Sequence, residues 1–496
     1  MSCSLMMYGT HFWDDVEHAL IDNKLGSRVF ITTRDGNVIN YCKKSSFIEV
    51  HELQPLTEKK SLELFCKKAF FDLNGNCPRN LVKISSEIVN KCNGLPLAIV
   101  AMGGVLAAKK RDVFVWEDFS KYLSSELEKD PSLNGIGKIL GISYDDLPAS
   151  LKPCLLYFGM YPEDYEVKQE RVIWQWIAEG FIKEKNGKSV EKVAKGYLTE
   201  LVSRNLVQVV DVDDDEDDLA RGESYRVHDL LRDMILKKSE DLSFCQFISK
   251  DDQSTLCVKS RRLSMATSSN DFMLSTEGSY IRSLLFFIEF MEEQFPKLLR
   301  IIPIKYKLLK VLDFEGVERD KSDCEAPENL GTLIHLRYLS FSNTRLENLP
   351  ESIGKLENLE TLDLTLTYVK VLPKEIGKLR KLRHLLFESG VKFAALEDIG
   401  GMTSLQTLSD VSLDVDGALE LITELEKLGQ LRVLRLSKVK EQHKRALCSL
   451  LNKLQHLEEV FIGGLADREL IIDLHFTALP MLQVLHLDCL ECNSPM

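Results

Sequence analysis

Hydrophobic residues follow two rhythms along this chain, and the change comes near residue 300. From Leu309 onward, segments of the form L-x-x-L-x-L, or a close variant, centre on Leu312, Leu339, Leu362, Leu385, Leu408, Leu434, Val460 and Leu485. Successive centres lie 27, 23, 23, 23, 26, 26 and 25 residues apart. LIHLRYLSFSNTRLENLPESIGKL leads into LENLETLDLTLTYVKVLPKEIGKL, and their common L-P-x-x-I-G-K-L tail puts Pro350 and Pro373 at the same phase. Leu339 and Phe341 alternate with Tyr338, Ser340 and Ser342, the period of two expected of a strand with one buried face. The pattern predicts one short strand per unit, burying the first pair and exposing the other three.

Units of about 20–29 residues with this signature are leucine-rich repeats. A single unit cannot bury its own leucines, so stacking joins them into one core. The alternate strand positions then line a concave surface, here Thr361, Asp363, Thr365, His384, Glu388, Arg435, Phe461 and His486. No nucleophile–base set recurs among them. The surface reads as a site for protein partners rather than for catalysis.

Ahead of the repeats the pattern is mostly helical. Residues 1–55 read as a piece of an α/β domain, with the apolar strand Ser27–Thr33 ending at Arg34. Polar residues at such a strand end often face a ligand. Residues 56–130 read as a helical bundle in which Gly94-Leu-Pro-Leu-Ala98 opens a helix with Pro96 in its first turn, where a missing N–H costs nothing. Residues 131–237 carry aromatic-rich helices and two strand-like pieces, Leu206–Val210 and Ser224–Val227, around the acidic run Asp211–Asp218. This reads as a winged helix whose acidic wing would repel phosphates. Residues 238–300 show no motif and read as a linker merging into a repeat cap, with repeats over 301–496.

Composition narrows the function classes. A formal charge of −13 argues against a nucleic-acid binder. Twelve cysteines without a regular framework fit reduced thiols in a cytoplasmic or nuclear setting. Cys489 and Cys492 lack further ligands at zinc spacing, so no metal site is expected. The longest apolar stretch, Leu95–Ala108, is too short to span a bilayer and reads as a buried helix.

Six blocks ahead of the repeats stand in the order of one family: GSRVFITTRD (26–35), HELQPLTEKKSLELFCKKAF (51–70), KCNGLPLAIVAMGGVLA (91–107), CLLYFGMYPEDYEV (154–167), VIWQWIAEGFI (172–182) and RVHDLLRDMI (226–235). The chain resembles plant disease-resistance receptors of the NB-ARC, leucine-rich-repeat type, close to the coiled-coil class. That resemblance implies an ADP/ATP switch in innate immunity: a P-loop NTPase α/β subdomain, a helical bundle, a winged helix, then the solenoid. It implies a cytoplasmic location, including the plasma-membrane periphery or the nucleus, and at most weak ATPase activity rather than an enzyme. Its partners would be a pathogen effector, a guarded host protein or a full-length receptor. By the same resemblance Arg34 corresponds to a sensor arginine near the γ-phosphate, Pro96 to the residue packing on adenine, and His228 to the histidine contacting the ADP β-phosphate. Val227 stands where the family usually has Met.

The sequence contains no G-x-x-x-x-G-K-[ST] segment to supply a backbone cradle, its lysine and a magnesium-binding hydroxyl. Asp14-Asp15 is not a Walker B pair, because Thr10-His-Phe-Trp13 rather than an apolar strand precedes it. The expectation is a chain that begins inside the nucleotide-binding domain and binds nucleotide weakly. The alternative is an interaction scaffold that binds no nucleotide and regulates full-length receptors.

Overall fold

The computed structural model describes residues 2–6, 28–32, 51, 53–128, 135–185, 187–210, 223–248, 260–266, 280–288, 294–315, 317, 324–396, 398–464, 470–471, 479–488 and 490–491. Strands β1 (Ser2–Met6) and β2 (Arg28–Thr32) pair in parallel, as a piece of α/β domain requires.

Five helices follow: α1 (Glu58–Ala69), α2 (Val82–Asn90), α3 (Pro96–Ala107), α4 (Val113–Glu128) and α5 (Gly135–Asp145). Phe65, Phe70 and Trp116 centre their core, with Phe70 stacked on Trp116 at 5.4 Å. Asp112 caps α4 by accepting from the Phe114 N–H at 2.9 Å. Pro96 takes the first position of α3, and Gly94 before it adopts φ +69°. A Cβ on Gly94 would meet the Leu56 carbonyl at 2.5 Å, so only glycine fits that conformation at that approach. Gly104 lets α3 meet the next unit, since a Cβ there would lie 2.4 Å from the Arg204 carbonyl.

That unit contains α6 (Lys152–Tyr157), β3 (Val167–Lys168), α7 (Gln169–Glu179), α8 (Val190–Ser203), β4 (Gln208–Val210), β5 (Ser224–Arg226) and α9 (Asp229–Asp241). Its three strands form an antiparallel sheet in the order β3-β5-β4, giving helices plus a hairpin, the winged-helix arrangement. The acidic run at the hairpin tip lies outside the described residues.

Eleven parallel strands then form one sheet: β6 (Gln246–Ile248), β7 (Arg262–Met265), β8 (Ser283–Phe286), β9 (Val311–Asp313), β10 (Tyr338–Ser340), β11 (Thr361–Leu364), β12 (His384–Phe387), β13 (Thr407–Ser412), β14 (Val433–Val439), β15 (Glu459–Gly464) and β16 (Val484–Asp488). All eight expected centres sit in strands, and Leu312, Leu339, Leu362, Leu385 and Leu408 are aligned through successive pairs. The convex side carries 3₁₀ turns at Glu328–Thr332, Glu351–Lys355 and Lys374–Lys378, each entered from a proline that fixes φ. Helices α10 (Gln294–Lys305), α11 (Ala418–Leu425) and α12 (Lys444–Lys453) continue that layer.

The sheet starts well before the leucine pattern becomes legible. Within 238–300, β6, β7 and β8 continue it, and Leu263, Leu284 and Leu312 are aligned despite spacings of 21 and 28 residues. These strands read QFI, RLSM and SLLF, without the L-x-x-L-x-L frame, which hides their period.

Candidate functional site

The predicted concave surface is two surfaces. Along β14 and β15 burial alternates, as a strand with one solvent face should. Along β7 to β11 every residue is buried. Tyr338, Ser340 and Ser342, expected to be exposed, are 1%, 0% and 6% accessible, and Thr361, Asp363 and His384 are buried too. The expectation of a continuous open face fails there because the winged-helix unit occupies it. Leu285, Val311 and Tyr338 of the sheet belong to the same apolar cluster as Trp176, Ile177 and Tyr161.

Helix α7 packs on β9 and β10, and ten of its eleven residues are buried or engaged against one side or the other. Arg171 Nε donates to Asp313 Oδ2 at 2.9 Å and lies 3.0 Å from Glu315. Gln175 also donates to Asp313 Oδ2. The guanidinium lies 5.6, 5.5 and 5.6 Å from the ring centres of Tyr161, Tyr165 and Phe287. At the end of α7, Glu179 accepts from Arg262 at 2.7 Å and from the Ser283 hydroxyl. Trp174 stacks on His384 with ring centres 4.4 Å apart. Glu191, at the start of α8, sits 2.5 Å from Arg383, and Lys192 lies 3.1 Å from Glu458. The Arg171–Asp313 and Arg262–Glu179 pairs are buried and so sensitive to loss of one partner, because the remaining charge stays desolvated.

Burial sets the electrostatics of the contact. It pushes Glu315 up to about 7 against the pull of Arg171, and Asp363 up to about 6 against hydrogen bonds from Thr365. Burial also works on Glu191, but the His384 imidazole and the Arg383 charge outweigh it and hold the carboxyl at about 2. His384 is held below its ordinary range, first by burial.

Beyond β12 the face is open. Arg435 on β14, Phe461 on β15 and His486 on β16 are aligned across three strands. The Arg435 guanidinium lies 4.3 Å over the Phe461 ring, whose centre is 5.7 Å from that of His486. Phe461 and Arg435 are partly exposed, and His486 and Glu388 are exposed. Aromatic and arginine side chains on a concave face are well suited to anchoring a protein partner.

The positions carried over from the resemblance are distributed differently. Arg34 lies outside the described residues. Pro96 is exposed at the start of α3. His228 is the N-cap of α9, and its Nδ1 accepts from the Leu230 N–H at 3.3 Å. That bond leaves Nε2 as the ring atom able to address a ligand. Helices α3 and α9 both pack against α5, so Pro96 and His228 open two helices braced on one support. Among the described residues no group of three or more His, Cys, Asp or Glu is arranged to hold a metal. Cys489 and Cys492 lie outside them. No described helix is long and apolar enough to cross a membrane.

The parallel solenoid, with a winged helix seated in its concave face, defines a leucine-rich-repeat protein built around an internal docking contact. Family profiles match in the same order: an NB-ARC domain at residues 7–73, a disease resistance protein winged helix domain at 160–235 and a leucine-rich repeat region at 281–495. The chain is 35% identical over 340 residues to the RPP13-like disease resistance protein 3 of Arabidopsis thaliana, covering 67% of this chain and 38% of that protein. It is 39% identical over 246 residues to the ToMV resistant protein Tm-2 netted virescent of Solanum lycopersicum, covering 48% and 27%. It is 33% identical over 350 residues to the disease resistance protein Pik-2 of Oryza sativa subsp. japonica, covering 69% and 33%. The chain belongs to the plant disease-resistance proteins that combine NB-ARC, winged-helix and leucine-rich-repeat segments. The matches span about a third of the length of these curated relatives.

Sequence reasoning found the repeats and the open-face residues Arg435, Phe461 and His486. It missed Arg171, Gln175, Trp174 and Glu179. Their signal was present as a polar stripe, Arg171, Gln175 and Glu179, spaced four residues apart on the otherwise largely apolar segment RVIWQWIAE.

Proposed function

We propose that the chain acts in plant innate immunity as a receptor-like protein in which a protein partner binds the open half of the concave face. Binding there competes with, or strains, the winged helix docked on the other half. The division of one sheet face into a covered and an open half supports this reading. The partner class is a pathogen effector or a guarded host protein. Test: replace Arg435, Phe461 and His486 together and express the chain in leaf tissue with matched pathogen extracts. Loss of the defence response with unchanged folding is expected. An unchanged response would reject the open half as the recognition surface.

The nucleotide reading assigns base packing to Pro96, β-phosphate contact to His228 and γ-phosphate sensing to Arg34. With no P-loop motif among its residues, this polypeptide is expected to hold ADP weakly, because the cradle and its lysine normally supply most phosphate contacts. The same observation favours a second reading, a scaffold that regulates full-length receptors without nucleotide. Quantifying ADP released from purified protein separates the two. One ADP per chain, lost on His228→Ala, would overturn weak binding and reject the scaffold. No detectable ADP with partner binding retained would establish the scaffold.

A further inference from the structure

Around Arg171 the contact between winged helix and solenoid holds more acid than base. Asp313, Ser340 and Asp363 form one row across β9, β10 and β11. Glu315 stands just beyond β9, and Arg171 is the guanidinium that reaches this group. Facing these carboxyls from the winged helix are Arg171 and Gln175 on α7, Tyr161, Tyr165 and, at the rim, exposed Lys168 on β3. From the solenoid they face Tyr338 on β10 and Thr365 after β11, whose N–H and hydroxyl donate to Asp363 at 3.0 and 2.7 Å. One buried guanidinium balances one carboxylate well. Three ionised carboxylates there would leave this part of the contact net negative, and separation would return buried Asp313 and Asp363 to water and uncover the rest of the partly exposed Glu315.

We propose that docking of the winged helix on the solenoid is proton-linked: the contact closes with protons held on Glu315 and Asp363 and releases them when it opens. The docked carboxyls sit near 7 and 6, above the ordinary carboxylate range of about 4. A raised acid favours the docked form at low pH. That contribution is complete below about pH 4 and is lost as pH rises through 6 and 7. From pH 6 to pH 8, Glu315 alone shifts the docked-to-open ratio by about tenfold, and Asp363 adds about twofold.

Farther along the contact, His384 faces Glu191, Arg383 and Glu170, and its depressed range favours docking as pH rises past about 6.5. Glu360, between Arg337, Arg383 and Glu191, is raised by burial and adds to the acid side. Comparing the wild type with a variant at each pH cancels both contributions. This linkage stands whether or not the chain binds nucleotide.

The test is amide hydrogen exchange of the α7 segment in the full chain at pH 6, 7 and 8, corrected for the intrinsic pH dependence of exchange. Glu315→Gln keeps the shape and mimics the protonated acid. Relative to wild type, its α7 protection should rise about tenfold between pH 6 and pH 8. Parallel profiles would overturn the proposal. Should Glu315→Gln fail to fold, Asp363→Asn is compared in the same way, with a relative gain of about twofold expected and parallel profiles again overturning it.

Discussion

Strands β10 and β14 are built alike: Leu339 and Leu434 are both fully buried, and both strands pair in parallel on either side. Their other faces differ. On β10, Tyr338 and Ser340 lie beneath α7, and Tyr338 is part of the winged-helix core. On β14, Val433, Arg435 and Ser437 remain partly exposed. The repeat fixes the core-facing side of each strand, but what covers the concave side depends on a helix more than a hundred residues away. The covered half is suited to holding a domain, and the open half to meeting a partner.

The largest test of that contrast removes the charge at its centre. Arg171→Ala should cost about 3–5 kcal/mol in denaturant unfolding, because Asp313 is left buried without its counter-ion. A cost under about 1 kcal/mol would mean that water reaches Asp313 and the contact is loose. Next, Leu339→Ala and Leu434→Ala should each cost about 2–5 kcal/mol, since both leucines enter the same solenoid core. A large asymmetry between them would show that the halves differ in core packing as well as in cover. Trp174→Ala should cost about 2 kcal/mol, losing the stack on His384 and part-buried area. It should also raise hydrogen exchange along α7 while leaving β14 and β15 unchanged. The smallest effect on stability should come from Phe461→Ala, under about 1 kcal/mol at its partly exposed site. Thermal unfolding would check it, and a partner for the open half should nonetheless bind at least about tenfold more weakly.

Legibility in the sequence tracked how local each cause was. Pro350 and Pro373 marked the repeat phase, and in the structure each leads into a 3₁₀ turn because proline fixes its own φ. Gly94 and Pro96 announced the start of α3 for the same kind of reason. The β4–β5 hairpin was legible from two apolar pieces around an acidic run. Strands β6 to β8 were not, since their spacings are irregular and their alignment comes only from pairing with β9. His228 was singled out by the resemblance alone, and its Nδ1 serves as the cap of α9.

By itself the sequence determined the order of units, the solenoid core and the residues lining its concave side. Periodicity and backbone stereochemistry act over a few residues, so one chain segment carries the whole signal. Only the tertiary structure decided which concave positions are open. Arg171 and Asp313 are 142 positions apart, and no local pattern on either says that they meet. Their pairing follows from the packing of two folded units, and that packing turns a uniform row of strands into one docked half and one free half.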